Sequence, residues 1–270
     1  MKKIKISHEV PFCLLEKSRE FNDYDYCLPH LMDENEEYRN FFYKSKEMGR
    51  YIVMDNSLHE LGEAYNTERL LHWIEEIKPN EFIVPDVWED YSESVRNAKI
   101  WSQVELPDGV MKVAVVQAKS LHEARLCVQA YKDFGYKKIA FSYGAAYYHE
   151  LCPHPNADFG KAVGRFMVLS TLYSSKALTK FDRVHLLGTA SPIEFGMYKN
   201  IECIESIDTS NPIMAAIENT RYNEMGLLSK PVANMNNFQD KTIEQLASNP
   251  TLFYSTVEYN VEMFRKINGL

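Results

Sequence analysis

The chain has 270 residues, of which 45% are hydrophobic, and it carries a net charge of −8 with a pI of about 5.6. This length fits a single domain spanning residues 1–270. The acidic balance argues against general coating of nucleic acid, which usually needs a basic field. No apolar run reaches the length of a membrane span, so no membrane partner is expected.

In chain order, short apolar runs rich in β-branched residues alternate with segments of helical spacing. We predict strands at residues 3–7, 24–29, 51–54, 82–84, 112–116, 138–141, 184–187 and 201–207. We predict helices from Thr67, over residues 92–104, from Ser120 over 121–134, over 159–174, from near Pro212, and two within 240–267. Thr67 and Ser120 are the expected N-caps. Strand–helix alternation predicts a parallel sheet, and eight strands close it into a (β/α)₈ TIM-type barrel with extra C-terminal helices.

The cysteines are odd in number and scattered along the chain: Cys13, Cys27, Cys127, Cys152 and Cys203. This usage indicates a reduced, intracellular protein without a disulfide framework. The N-terminus is charged and then strand-like, and it lacks the apolar core of a secretory signal. We therefore predict a cytoplasmic protein.

Polar residues directly follow most of the predicted strands, and they include three aspartates and one glutamine. They are Asp55, Ser57, Asp86, Gln117, Ser142, Gly144, Gly188 and Asp208. The carboxyl ends of barrel strands meet at one face, and that face carries the active site of TIM barrels. Converging carboxylates predict chemistry on a polar substrate at this mouth.

Three of these strand ends resemble elements of one family, the tRNA-guanine transglycosylases. Val53-Met54-Asp55-Asn56-Ser57 is similar to the family's "TDSGG" element. Ile83-Val84-Pro85-Asp86 resembles its "MAFDEC" strand, and Val115-Val116-Gln117 resembles its "GIVQGG" strand.

The next three strand ends continue the resemblance in the same order. Ala140-Phe141-Ser142-Tyr143-Gly144 looks like "GLAVGE", and the segment from His185 to Pro192 looks like "YLMGVGTPED". Ile204-Glu205-Ser206-Ile207-Asp208-Thr209-Ser210 resembles "DMFDCVMPTR". The resemblance covers about residues 50–212.

The chain departs from this family after the last strand, where no cysteine follows Cys203. The family's zinc subdomain, which holds tRNA, is therefore missing, and we expect no metal and no cofactor. The chain resembles more closely the phage-encoded 7-deazaguanine DNA transglycosylases, which would work in the host cytoplasm. This resemblance implies exchange of guanine in DNA for a free 7-deazaguanine base such as preQ0.

The resemblance implies Asp208 as nucleophile and Asp55 as acid/base. It also implies that Asp86 and Gln117 read the guanine edge, with Ser57, Ser142, Gly144 and Gly188 lining the base pocket. The residues alone leave alternatives open: Asp208 as a helix N-cap, Asp55 as a turn residue, and Gln117 as a partner of a neighbouring group. Alternative functions are a tRNA enzyme, a non-catalytic partner subunit, a hydrolase and an unrelated sugar-phosphate barrel. Homo-oligomerisation stays open.

Two further groups of residues flank these strand ends. Basic side chains could form a local rim for locally opened or single-stranded DNA, or a solvated helix face: Lys161, Arg165, Lys176, Lys180, Arg183, Arg221 and Lys230. Tyr143, Tyr147 and Tyr148 could stack on a flipped base or pack in the core.

Overall fold

Eight parallel strands form a nearly closed barrel in the computed structural model, which describes residues 4–189, 191–227, 231 and 238–270. The strands are β1 (Lys5–His8), β2 (Asp25–Cys27), β3 (Ile52–Met54), β4 (Glu81–Ile83), β5 (Met111–Val116), β6 (Lys138–Ser142), β7 (Arg183–Leu187) and β8 (Ile204–Thr209). They lie in the order β1-β8-β7-β6-β5-β4-β3-β2. The Asp23 N–H donates to the Ile6 carbonyl at 2.8 Å, which brings the start of β2 back to β1. The predicted TIM-type barrel is confirmed.

Helices surround the barrel, and two extra ones follow the last β/α unit. They are α1 (Leu15–Ser18), α2 (Pro29–Glu34), α3 (Glu36–Glu47), α4 (Leu58–Leu61), α5 (Thr67–Ile77), α6 (Tyr91–Gln103), α7 (Leu121–Asp133), α8 (Ala146–Leu151), α9 (Ala157–Ser174), α10 (Asn211–Ile217), α11 (Phe238–Ser248) and α12 (Pro250–Asn268). Short 3₁₀ helices cover Phe12–Leu14 and Glu194–Asn200. No described helix is both long and apolar enough to cross a bilayer.

The helix starts follow ordinary capping chemistry. Ser120 caps α7 by accepting the Glu123 N–H at 3.1 Å, as predicted. Asn66, not Thr67, caps α5, because its side-chain oxygen accepts the Arg69 N–H at 3.0 Å. Asparagine is at least as good an N-cap as threonine, so the predicted start was one residue late.

The barrel interior has three layers from the floor to the mouth. The floor is an ionic cluster in which the buried Lys138 Nζ lies 2.7 Å from Glu81 Oε2, with Glu205 and Arg183 beside it. The middle layer is apolar and comprises Tyr24, Val53, Ile83, Val113, Val115 and Ala140. Because the lower layers are filled, the barrel interior opens at the carboxyl ends of the strands, where it forms a cavity.

Candidate active site

A cavity of about 420 Å³ opens at the carboxyl ends of the strands. Six of the eight predicted site residues line it: Asp55, Asp86, Gln117, Ser142, Gly188 and Asp208. They come from the ends of β3, β4, β5, β6, β7 and β8. Closure of the barrel therefore gathers side chains that are more than 150 positions apart in sequence, as the difference between 55 and 208 shows.

Asp208 is 3% exposed, and a hydrogen-bond donor faces each of its oxygens. His185 Nε2 lies 2.9 Å from Oδ1, and the Gly188 N–H donates to Oδ2 at 3.2 Å. Gly188 has a φ of 59°, and a Cβ there would lie 2.4 Å from the Tyr143 ring. A glycine is therefore required at this position for its N–H to reach Asp208. Asp208 does not cap α10, since Ser210 occupies the N-cap position.

A hydrogen-bonded chain supports Asp208 from below. The Lys138 ammonium, which can only donate, lies 2.8 Å from Ser206 Oγ, and Ser206 Oγ lies 2.9 Å from His185 Nδ1. We assign the Ser206 hydroxyl proton to this contact with Nδ1, so that His185 carries its proton on Nε2 and donates it to Asp208. These hydrogen bonds link the ionic cluster at the barrel floor to the Asp208 carboxylate at the mouth.

Asp86 is held by two amide groups. Asn56 Nδ2 donates to its Oδ1 at 2.6 Å, and Gln117 Nε2 donates to its Oδ2 at 2.7 Å. The Gln117 oxygen accepts the Glu89 N–H at 3.1 Å, so this amide satisfies neighbours on both sides. Burial raises the pKa of Asp86 to about 6, and the two amide donors limit that rise.

Asp55 sits in a tight turn beyond β3. Its N–H donates to the Cys27 carbonyl at 2.8 Å, and its Oδ2 accepts the Ser57 N–H at 3.3 Å. Asp55 therefore both stabilises this turn and lines the cavity. Burial, followed by the nearby Glu60 carboxyl, raises the pKa of Asp55 well above its usual value. A carboxyl group whose pKa is raised is suited to proton donation.

Two further carboxyl groups line the cavity, Glu9 beyond β1 and Glu60 in α4. Burial and then the Asp208 charge raise the pKa of Glu9, while burial raises the pKa of Glu60 to about 7. The described residues that line the cavity include no Lys or Arg. The mouth therefore concentrates carboxyl groups, and their mutual repulsion adds to burial in raising the pKa values of Glu9 and Asp55.

Sequence reasoning missed Glu9 and His185, although both had a detectable signal. Glu9 follows the first predicted strand at the spacing of the other site residues, and His185 is a lone polar residue inside an apolar run. Their importance depends on pairing of β1 and β7 with β8, where Ser7 is the register partner of Asp208. Such non-local pairing is not visible in a local pattern.

Two predicted residues lie outside the cavity wall. Ser57 is fully buried with a φ of 58°, and its Oγ lies 2.8 Å from His30 Nδ1. Gly144 is packed so closely that a Cβ would lie 2.3 Å from the Trp88 ring, and its N–H is 3.5 Å from Ser142 Oγ. Gly144 thus makes room for Trp88, which does line the cavity.

Aromatic rings form one edge of the mouth. The His59 ring centroid lies 6.0 Å from that of Trp88 and 5.8 Å from that of Tyr143. All three residues line the cavity. Tyr147 and Tyr148 do not, because they are 4% and 1% exposed and pack in the core. Of the three tyrosines, Tyr143 alone lines the cavity and could stack on a flipped base there.

The expected basic rim is wrong for most of its members. Arg165 is fully buried, where its Nε donates to Glu194 at 2.6 Å and its guanidinium to the Gly188 carbonyl at 2.7 Å. Arg183 belongs to the ionic floor. Lys176 and Lys180 lie between α9 and β7, at the end of the barrel opposite the mouth.

The other members are placed differently. Lys161 lies near the mouth, with its Nζ 3.3 Å from the Gly144 carbonyl, and the Arg221 guanidinium packs on the Tyr259 ring. Lys230 lies outside the described residues. Within the described ranges, no group of three or more His, Cys, Asp or Glu side chains could hold a metal ion.

No protein-family model matches the chain, and no curated protein matches it.

Proposed function

We propose that this chain is a transglycosylase that replaces guanine in DNA with a 7-deazaguanine base through a covalent intermediate on Asp208. One observation carries the proposal. Asp208, with a donor on each oxygen, shares a cavity with Asp55, a carboxyl group whose pKa is raised. A nucleophilic carboxylate beside a protonated carboxyl is the pair that displacement at a glycosidic carbon with retention requires.

In the first step, an Asp208 oxygen attacks C1′ of the target nucleotide. The C1′–N9 bond breaks, its electron pair stays on N9, and the departing guanine receives the Asp55 proton. The product is an ester between Asp208 and C1′. His185 and Gly188 orient the attacking carboxylate, and both remain hydrogen-bonded to the ester oxygens.

In the second step, the free 7-deazaguanine base occupies the place of guanine. Its N9–H gives a proton to the Asp55 carboxylate, N9 attacks C1′, and the bond between C1′ and Asp208 breaks. Asp208 leaves as a carboxylate and Asp55 regains its proton, so the site returns to its starting state. Two inversions give net retention at C1′.

Asp86 is the group suited to reading the base. Guanine and its 7-deaza analogues present N1–H and N2–H₂ as donors, and each oxygen of Asp86 keeps a second acceptor position beside its amide donor. Gln117 donates one Nε2 hydrogen to Asp86 and accepts the Glu89 N–H at its oxygen. We therefore assign Gln117 to holding Asp86 in place, and its second Nε2 hydrogen to guanine O6.

The choice of DNA rests on the resemblance to the phage enzymes and on the missing zinc subdomain. The test is incubation of the protein with single-stranded DNA, duplex DNA or tRNA, together with labelled guanine or labelled preQ0. Label should enter DNA, and a protein–DNA adduct should survive denaturant for the wild-type chain but not for Asp208→Asn. Preferential labelling of tRNA would refute the DNA assignment, and base release without incorporation would indicate a hydrolase.

A further inference from the structure

Asn211 lies beside the proposed nucleophile and has no role in the chemistry above. It is the first residue of α10, three positions after Asp208, and it is 3% exposed. It lines the cavity together with the segment from Asp208 to Ser210. A polar side chain so deeply buried at a cavity wall normally has all of its hydrogen bonds made.

One half of the Asn211 carboxamide has no hydrogen-bond partner among the described residues. Its Oδ1 accepts a hydrogen bond from the Tyr222 hydroxyl, and its backbone N–H donates to Thr209 Oγ1 at 3.0 Å. Its Nδ2 is buried without an acceptor among the described residues. An unsatisfied buried donor costs free energy, so the arrangement favours a ligand that supplies the missing acceptor.

The carboxamide is held in this orientation from outside the cavity. Tyr222 is buried, and its N–H donates to Asn260 Oδ1 at 2.9 Å. Asn260 Nδ2 donates in turn to the carbonyls of Pro212 and Thr220, at 3.2 and 2.9 Å. The C-terminal helix α12 therefore fixes Tyr222, and Tyr222 fixes the oxygen side of Asn211.

Asn211 lies on the opposite side of the barrel mouth from Asp86, the residue proposed to read the base. Asp86 follows β4, whereas Asn211 follows β8, and these strands are four steps apart in the eight-strand ring. A base held at Asp86 with its C1′ at Asp208 directs the pentose towards β8. A pentose offers acceptor oxygens in its ring, its hydroxyls and its ester positions. The described residues that line the cavity include no Lys or Arg, so a neutral N–H such as that of Asn211 is the kind of donor available to a sugar oxygen.

We infer that Asn211 binds the pentose of the substrate by donating its carboxamide N–H to a sugar oxygen next to the reacting C1′. This inference rests on the proposed function, since it takes the ligand to be a nucleoside unit. Asn211 then discriminates a nucleoside from a free base, while Asp86 binds both.

The test compares dissociation constants for guanine and for 2′-deoxyguanosine, measured by calorimetry on the full chain. Asn211→Asp keeps the acceptor for Tyr222 and the side-chain volume but removes the donor, and Asn211→Ala removes both. Each variant should bind deoxyguanosine about tenfold more weakly and guanine within about twofold of wild type, as expected for loss of one hydrogen bond. Tyr222→Phe keeps the Asn211 donor but frees the carboxamide, and it should give a smaller loss, again for deoxyguanosine only.

Equal losses for guanine and deoxyguanosine would overturn the inference, because Asn211 would then support the whole pocket. Wild-type affinity of Asn211→Asp for deoxyguanosine would also overturn it, because the donor would be irrelevant. Failure of the wild-type chain to bind either ligand would contradict the proposed function. Normal guanine binding with unchanged deoxyguanosine affinity in both Asn211 variants would contradict the pentose assignment alone.

Discussion

Asp55 is the residue at which proton transfer can be tested most directly. Asp55→Asn keeps the side-chain shape and the turn contact with the Ser57 N–H but cannot give a proton to the leaving base. Formation of the Asp208 adduct should slow by about 10²–10⁴-fold, the usual contribution of a general acid. Single-turnover measurement of adduct formation checks this, with guanine affinity as the control that should stay unchanged. A decrease of less than threefold would remove Asp55 from the proton-donor role.

The pH dependence of the same reaction follows from Asp86 and Asp55 together. In the proposed reaction Asp86 must be ionised to accept two hydrogen bonds from guanine, and its pKa is raised to about 6. The apparent kcat/KM should therefore fall as the pH decreases below about 6. It should also fall at high pH, as Asp55 loses the proton that the raised pKa retains. A rate profile that stays flat between pH 5 and pH 7 would contradict the role of Asp86.

In the proposed reaction His185 is a positioning residue, because it contacts the Asp208 carboxylate and not the reacting carbon. His185→Phe removes the donor to Asp208 Oδ1 while keeping a ring against Tyr26, whose centroid lies 6.3 Å away. Adduct formation should slow by about tenfold, the value of one hydrogen bond to a charged group. Ser206→Ala should give a smaller decrease, because it removes only the contact that fixes the imidazole tautomer. A merely structural role would lower thermal stability without changing the single-turnover rate.

At the scale of elements, α8 packs closely against α9, with the backbone of Tyr148 next to Gly164. A Cβ at Gly164 would lie 1.9 Å from the Tyr148 carbonyl oxygen, which is backbone and cannot rotate away. Gly164→Ala should therefore push α8 outwards and displace Tyr143, even though alanine favours a helix over glycine by about 1 kcal/mol. Overpacking typically costs about 1–3 kcal/mol, so the net effect should be destabilising.

Thermal unfolding of Gly164→Ala and of Met167→Ala provides the measurement. Met167 is an exposed residue of the same helix, 41% accessible, so its substitution should be nearly neutral. An unchanged Tm for Gly164→Ala would show that α8 and α9 can separate without cost.

The elements that could be predicted from the sequence are those with a strong local signal. Buried β-branched runs identified β4 to β7, and the Ser120 cap located α7. The helix α3 was missed, although Asn35 caps it and Tyr38, Phe41 and Phe42 form its buried face. Its high content of charged and aromatic residues hid the helical spacing. β2 is shorter than predicted because Pro29 begins α2.

The candidate site was predictable only in part, for the same reason. Strand-end aspartates are visible because each directly follows an apolar run. Asn211 does not directly follow an apolar run, and its buried carboxamide depends on Tyr222 and Asn260, which come from later in the chain. The prediction of a basic rim was wrong for Arg165 because the charge of a helix residue does not show whether its side chain faces solvent or the core. Arg165 is buried against Glu194.

At the scale of the whole molecule, the mouth carboxyl groups set the pH dependence of stability. Glu60 has a pKa of about 7 in the folded protein against a usual value of 4.5, so it binds its proton more tightly when folded. Its contribution to stability is complete below about pH 4.5 and is lost as the pH rises through about 7. Glu60→Gln should therefore stabilise the protein at pH 8 and have little effect at pH 4.5.

Urea unfolding at both pH values measures this difference. Glu150→Gln, at an exposed position, is the control and should behave alike at the two pH values. Equal effects of Glu60→Gln at pH 4.5 and pH 8 would show that the Glu60 carboxyl does not titrate between them.

Three cavity carboxyl groups that have raised pKa values and do not read the base, Glu9, Asp55 and Glu60, have a calorimetric consequence. A neutral base that enters the cavity removes water from carboxyl groups that already hold protons tightly, and this raises their proton affinity further. Ligand capture should therefore draw protons from the buffer. The observed binding enthalpy should then vary linearly with the ionisation enthalpy of the buffer, and the slope gives the number of protons taken up. Ligand binding would thus be coupled to proton uptake, and ligand release to proton loss.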